Sequence, residues 1–558
     1  MDSATHRRTP VRVATDAARA AIIAACAVLL AACNAALDDE RDRSPAAPET
    51  SEILWDRWGV PHVYGATVDE LGYGFGWAQM RHHGDAILEL YGVARGRAAE
   101  YWGADHIASD RLVRILGIPE KGRETFEAQD QELRRYIEGF VAGMNAYADA
   151  HPERISDRAR AVLPVEEADP LRHGLRGLFA FLAVTGDREP PVGLDGFPTG
   201  PVPGSNAWAI GPSRSASGNA MLLQNPHLPW RIPLMRFTEA HLVGPGVDLY
   251  GVTQIGVPVI AIGFNERLGW SHTVNRIDAF DTWRLSLAGD GYRFDGAVRP
   301  FEVERQVMRI RDDDGELRAD TLVVRRSVHG PVVEMDDSTA VAVRTPLLQR
   351  HDWVEPWWRM GRARDLDEFE AVSARLGVPM FTTVYADRDG HIYNLFGGQV
   401  PVRPSGDFAD WQMSAPGDTS ATLWTEVHPY EDLPKVVDPP SGFVQNSNSP
   451  PWYATVPSPL DPADFPPYMA PPPWVNLREA RAIEMLLSDE SITFDELIEL
   501  RYSTRMLLAD RLVDDLVDAA RSYGGATGRA AADVLEAWDR NADADSRGAV
   551  LFAFWAQE

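Results

Sequence analysis

Gly204-Ser205-Asn206-Ala207-Trp208-Ala209-Ile210, continuing to Leu222-Leu223-Gln224-Asn225-Pro226-His227-Leu228-Pro229-Trp230, is the stretch on which the reading of this chain turns. Side chains alternate across a strand, so Asn206, Trp208 and Ile210 share one face and Ser205, Ala207 and Ala209 the other. Upstream, residues 189 to 204 are rich in proline and glycine, which cannot build a paired strand. Ser205 is therefore expected to open a strand directly after an exposed, cleavable segment.

Earlier in the chain, Ile53 to Gly65 suggests a strand, a turn punctuated by Gly59 and Pro61, and a second strand. Leu71 opens a helix running toward Leu90, and apolar residues from Leu133 to Tyr147 recur at helical spacing. After Trp230 the pattern turns to strands: Val247 to Val252, Pro258 to Asn265 and Gly269 to Asn275. A hairpin with Asp389-Gly390 at its turn follows, then Ser441 to Pro450, and from Leu477 onward the pattern is mostly helical.

At 558 residues the chain exceeds what one small core holds. Its net charge of −28, with Lys121 and Lys435 as the only lysines, disfavours nucleic acid as a partner. Arg7, Arg8, Arg12 and Arg19 precede an apolar run from Ala20 to Ala32 that is too short to span a bilayer and fits a secretory signal. Leu30-Ala31-Ala32-Cys33 has the form of a bacterial lipobox, with Cys33 as the lipidated residue; an ordinary signal with an incidental cysteine is the other reading. The only other cysteine, Cys26, falls in the same segment, so disulfides, thiolate zinc sites and cysteine nucleophiles are excluded from the exported part. Residues 34–50 read as a polar tether.

The Gly204-to-Trp230 block resembles the processing site of the penicillin acylase family of N-terminal-nucleophile hydrolases, and its His-Leu-Pro-Trp ending is more similar to the acyl-homoserine-lactone and lipopeptide acylase branch than to enzymes restricted to penicillin G. The resemblance implies an α+β fold, a four-layer αββα sandwich with a helical small subunit over residues 51–188, a spacer over 189–204 and a large subunit over 205–558. Cleavage between Gly204 and Ser205 would leave a heterodimer of two chains. The same resemblance implies oxyanion donors in the Val274 N–H and the Asn448 side chain, with Asn446 as the alternative register. It further implies His227 beside the serine, Leu228 and Ile262 in the acyl pocket, and Arg478, or Arg481, in support of processing. Asp278 and Asp281, with the Phe280 carbonyl, match a calcium-ligating loop; a solvated acidic turn is the other reading. One departure lies at Met80-Arg81-His82-His83, where the family often has an acidic residue, and relatives continue beyond Glu558, so the sheet is expected to be incomplete.

The chemistry can be argued from the residues. A serine hydroxyl needs a base, and an α-amino group with an unperturbed pKa near ~8 is one that Ser205 itself would supply once it stands at a chain terminus. Before that, the same hydroxyl can attack the Gly204 carbonyl, with glycine admitting the strained turn. Rival designs lack their parts: there is no Gly-x-Ser-x-Gly, no Ser-x-x-Lys and no His-Glu-x-x-His. The expected activity is hydrolysis of the amide of a small N-acyl substrate, such as an acyl-homoserine lactone, an acylated lipopeptide or a penicillin, without an organic cofactor and with a membrane contact only through the lipid anchor. The competing expectation is an inactive, truncated relative that binds ligand as an envelope lipoprotein.

Overall fold

The computed structural model describes residues 51–184 and 204–557. The signal, the tether, Cys33 and the spacer up to residue 203 lie outside them. In chain order, β1 (Ser51–Trp55) and β2 (Pro61–Gly65) form a hairpin followed by α1 (Val68–Ala94), α2 (Gln131–Ala150) and α3 (Asp169–Val184). Thr67 caps α1 in a reciprocal capping box with Glu70, which sets where that helix begins. Ser205 opens β3 (Ser205–Ile210), which pairs with β4 (Met221–Pro226). Then come β5 (Phe237–Gly244), β6 (Val247–Gln254), β7 (Ile262–Phe264) and β8 (Leu268–Thr273). The expected strand from Pro258 shrinks to three residues at its far end.

Residues 281 to 344 supply seven antiparallel strands of a second sheet, which Ala415–Pro416 joins in parallel beside Trp283 and Arg284, and which the sequence pattern did not single out. The chain then returns through β9 (Met380–Asp387), β10 (Ile392–Gly398), β11 (Lys435–Val437) and β12 (Phe443–Asn446). The β9–β10 turn is the expected hairpin, with Gly390 at φ +99°. Helices close the chain: α4 (Leu477–Leu487), α5 (Phe494–Arg501) and three more to Gln557.

Nine strands make the large sheet, in the order β1-β2-β5-β6-β7-β8-β9-β10-β11, and three make the small one, β12-β3-β4. The alternation along β3 decides how they stack. Ala207 and Ala209 lie against Val384, Ile392 and Val436 of the large sheet, while Trp208 and Ile210 lie against Ala482, Met485 and Leu486 of α4. Small residues on the inner face let the two sheets approach; large ones on the outer face fill the gap to the helix. With α1 and α2 on the far side of the large sheet, the layers run helix, sheet, sheet, helix. The N-terminal segment is part of this core, because β2 pairs in parallel with β5, His62 opposite His241.

Candidate active site

Ser205 is buried, 3% exposed, at the first position of β3 opposite Pro226. Its backbone N–H donates to Asn448 Oδ1 at 2.6 Å. The carbonyl of Gly204, the acceptor in any attack by Ser205, takes the backbone N–H of His227 at 3.1 Å. Gly204 is needed for space rather than for conformation. Its φ is not positive, but a Cβ would stand 2.3 Å from Asn448 Oδ1 and 2.4 Å from Arg478 Nη2. That corrects the expectation of a strained turn.

Asn448 reaches this position from the turn after β12, where it holds φ at +66°, a left-handed conformation that asparagine tolerates better than most residues. Its own N–H donates to Asn446 Oδ1 at 2.9 Å, and Asn446 is tied in turn to Thr273 Oγ1 at 2.6 Å. The structure thus separates the two registers: Asn446 braces the turn and Asn448 faces the serine. Oδ1 of Asn448 also takes Arg478 Nη2 at 2.8 Å, while Nδ2 donates to the Val274 carbonyl at 2.7 Å. With Oδ1 holding two donors, the amide orientation is fixed by its partners, and one N–H of Nδ2 is left for a reacting oxygen. Val274 follows β8 directly, so its amide belongs to the same corner.

Arg478, in the first turn of α4, donates to the Ser205 carbonyl at 3.1 Å and to Asn206 Oδ1 at 2.7 Å. Arg481 faces Glu484 instead, at 3.6 Å. His227 differs from its expected role. Its ring is exposed and reaches its own backbone rather than Ser205, and partial burial with Arg478 and Arg501 nearby pushes its pKa down. What His227 brings to the site is its backbone N–H.

Beneath Ser205 lies a cavity with about 60 Å3 open to water-sized centres, with Leu228 and Ile262 in its wall. Leu178 and Phe181 of α3 line it from the N-terminal segment, with Trp357 and Phe381 opposite. Of the helices before Ser205, α3 is the one in that wall; α1 and α2 form the packed layer. Besides Ser205, His173, Gln254 and His272 are the polar residues in the wall, and both histidines are neutral, His173 with its pKa pushed down by burial to about 4. Trp357 Nε1 donates to His272 Nε2 at 2.9 Å, so Nδ1 carries the proton and faces Thr383 Oγ1 at 3.2 Å. Burial drives the His272 pKa down to about 3, leaving the cavity uncharged at neutral pH. The sequence reading missed His272 and Trp357, because neither lies in the serine block.

Asp278 and Asp281 do not fit a hard cation. Both are buried, and Arg403 reaches between them: its Nη2 stands 3.1 Å from Asp278 Oδ2 and 3.0 Å from Asp281 Oδ2. Asp281 also accepts from Trp424 Nε1 at 2.7 Å, and the guanidinium is flanked by the rings of Trp411 and Tyr468. A guanidinium charge thus already answers the two carboxylates. Phe280 is buried between them, edge-on to Phe179. Among the described residues no group of three His, Cys, Asp or Glu could hold a metal ion.

The family of penicillin amidases matches residues 50–558. The chain belongs to it. It is accordingly a hydrolase of that family, acting on the amide carbon–nitrogen bond of an acylated substrate. Similar curated proteins include the acyl-homoserine lactone acylase PvdQ of Pseudomonas fluorescens, 26% identical over 90% of this chain and 72% of that protein. Aculeacin-A acylase of Actinoplanes utahensis is 28% identical over 89% of this chain and 73% of its own length. The penicillin acylase 2 proenzyme of a Pseudomonas species is 26% identical over 91% and 71%. Among solved structures, penicillin G acylase of Alcaligenes faecalis is similar at a TM-score of 0.47 and 22% identity, over 60% of this chain and 59% of that one.

Proposed function

We propose that this penicillin amidase family member is a precursor that cuts itself between Gly204 and Ser205 and then deacylates N-alkanoyl amines through an ester on Ser205. The observation that carries the reading is the bond from Ser205 N to Asn448 Oδ1 at the mouth of an apolar cavity: the amine freed by the cut keeps its acceptor. Ser205 Oγ adds to the substrate carbonyl and its proton passes to that amine. Negative charge gathers on the former carbonyl oxygen, met by the spare Asn448 N–H and the Val274 amide. The C–N bond breaks, the leaving amine takes the proton, and water then hydrolyses the ester to a free acid.

Uncharged walls with Leu228, Ile262 and Leu178 favour a flexible alkyl chain, so an acyl-homoserine lactone or acylated lipopeptide is preferred to a penicillin. No step runs through calcium, since Arg403 occupies its carboxylates. Export and tethering through Cys33 belong to the same reading, and the C33A chain would leave the membrane fraction. Intact mass after expression tests the cut: wild type gives a fragment beginning at Ser205, and Ser205→Ala stays whole. Hydrolysis across acyl lengths tests the substrate. An uncut wild-type chain that still deacylates, or phenylacetyl amides outrunning every alkyl one, overturns the reading.

A further inference from the structure

The two groups that meet Ser205, Asn448 and Arg478, come from different elements, and a row of contacts joins those elements residue by residue. In the turn, Ser447 offers its carbonyl to Asn476 Nδ2 at 2.9 Å, Asn448 offers Oδ1 to Arg478 Nη2 at 2.8 Å, and Ser449 gives its hydroxyl to Glu479 Oε1. Three consecutive turn residues therefore meet the first turn of α4. Asn476 also caps that helix, accepting the Glu479 N–H at 2.8 Å. Glu479 reaches farthest: its Oε1 takes Gln445 Nε2 of β12 at 3.2 Å as well as Ser449.

Glu479 is fully buried, and its Oε2 has no hydrogen-bond partner among the described residues. Burying a carboxyl in this way costs free energy that an apolar side chain would not. Packing is therefore not what the carboxyl contributes. Its contacts go to the strand before the left-handed Asn448 and to the residue after it, which is where a brace would have to act.

We propose that Glu479 is a positioning residue for the amide hydrolysis, its buried carboxyl fixing the register between the Asn448 turn and the Arg478 helix so that the Asn448 amide meets the reacting oxygen. The proposal rests on Ser205 being the nucleophile. Substrate binding in the apolar cavity does not involve Glu479, so its loss acts on turnover and not on affinity. Desolvation raises the carboxyl pKa to about 7, so the acid is carried largely protonated below that pH, and glutamine reproduces its shape.

The test compares wild type, E479Q and E479L on one alkanoyl amide, with kcat expressed per cleaved molecule by intact mass. E479L is expected to lose about a hundredfold in kcat at nearly constant KM, the scale of a misplaced oxyanion donor, while E479Q keeps turnover within about fivefold of wild type. S449A, which removes one contact and leaves the carboxyl, is the variant to read if E479L does not fold; it too should lower kcat and spare KM. Wild-type turnover in E479L or S449A, equal losses in E479Q and E479L, or a rise in KM alone would overturn the role. A wild type that hydrolyses no N-acyl amide instead overturns the Ser205 reading on which it stands.

Discussion

Asn448 carries two demands at once: a left-handed backbone and a side chain with both ends committed. Replacing it with alanine removes the donor for the developing oxyanion, so Asn448→Ala should lower kcat/KM by about 10² to 10³ while the protein still melts cooperatively, which hydrolysis and thermal scans would check. Gly204 makes a sharper case. A methyl group there would overlap Asn448 Oδ1 and Arg478 Nη2, so Gly204→Ala should accumulate as uncut chain on a denaturing gel, although alanine tolerates the same backbone. At this scale the sequence was legible where residues sit together. Ser205 and Leu228 fall in one block, while the His227 ring of that block is exposed, and Val274, Asn448 and Arg478 came only with the family resemblance. Glu479 was not legible, since an acidic residue three positions after Asn476 reads as an ordinary helix start until its burial is seen.

Between elements, the alternation of β3 told the two faces apart before any coordinates, because alanine and tryptophan differ so much in volume. The Asp278 loop went otherwise. Two carboxylates and a carbonyl look like a cation site in sequence, but the partner that answers them, Arg403, stands more than a hundred residues away. Two outcomes follow. Chelation with excess EDTA should leave the melting temperature unchanged, and Arg403→Leu, which strands two buried carboxylates, should cost about 3–5 kcal/mol in urea unfolding. The sheet of residues 281 to 344 escaped notice for a related reason: many of its strands are exposed on one face and rich in charge, so their apolar period is weak.

Across the whole molecule, titration has a definite sign. Burial lowers the folded pKa of His83, His173 and His329 to about 4 and of His272 to about 3. Below the unfolded value near ~6.5 the unfolded chain therefore binds up to four protons that the folded one refuses. Asp110 and Glu479, raised to about 6 and about 7, act the other way, as does His391, but His82 and His227 are lowered as well, so the lowered histidines outnumber the raised groups. Stability should therefore fall as pH drops from ~6 to ~4.5, which urea midpoints across that range would measure. The pairing of β2 with β5 reaches further still. These strands lie on opposite sides of the Gly204–Ser205 bond, so opening that bond turns one folding chain into two polypeptides that share a sheet. Regain of activity from urea should then follow second-order kinetics in protein concentration, whereas the Ser205→Ala chain, still covalently whole, should refold at a rate indifferent to dilution.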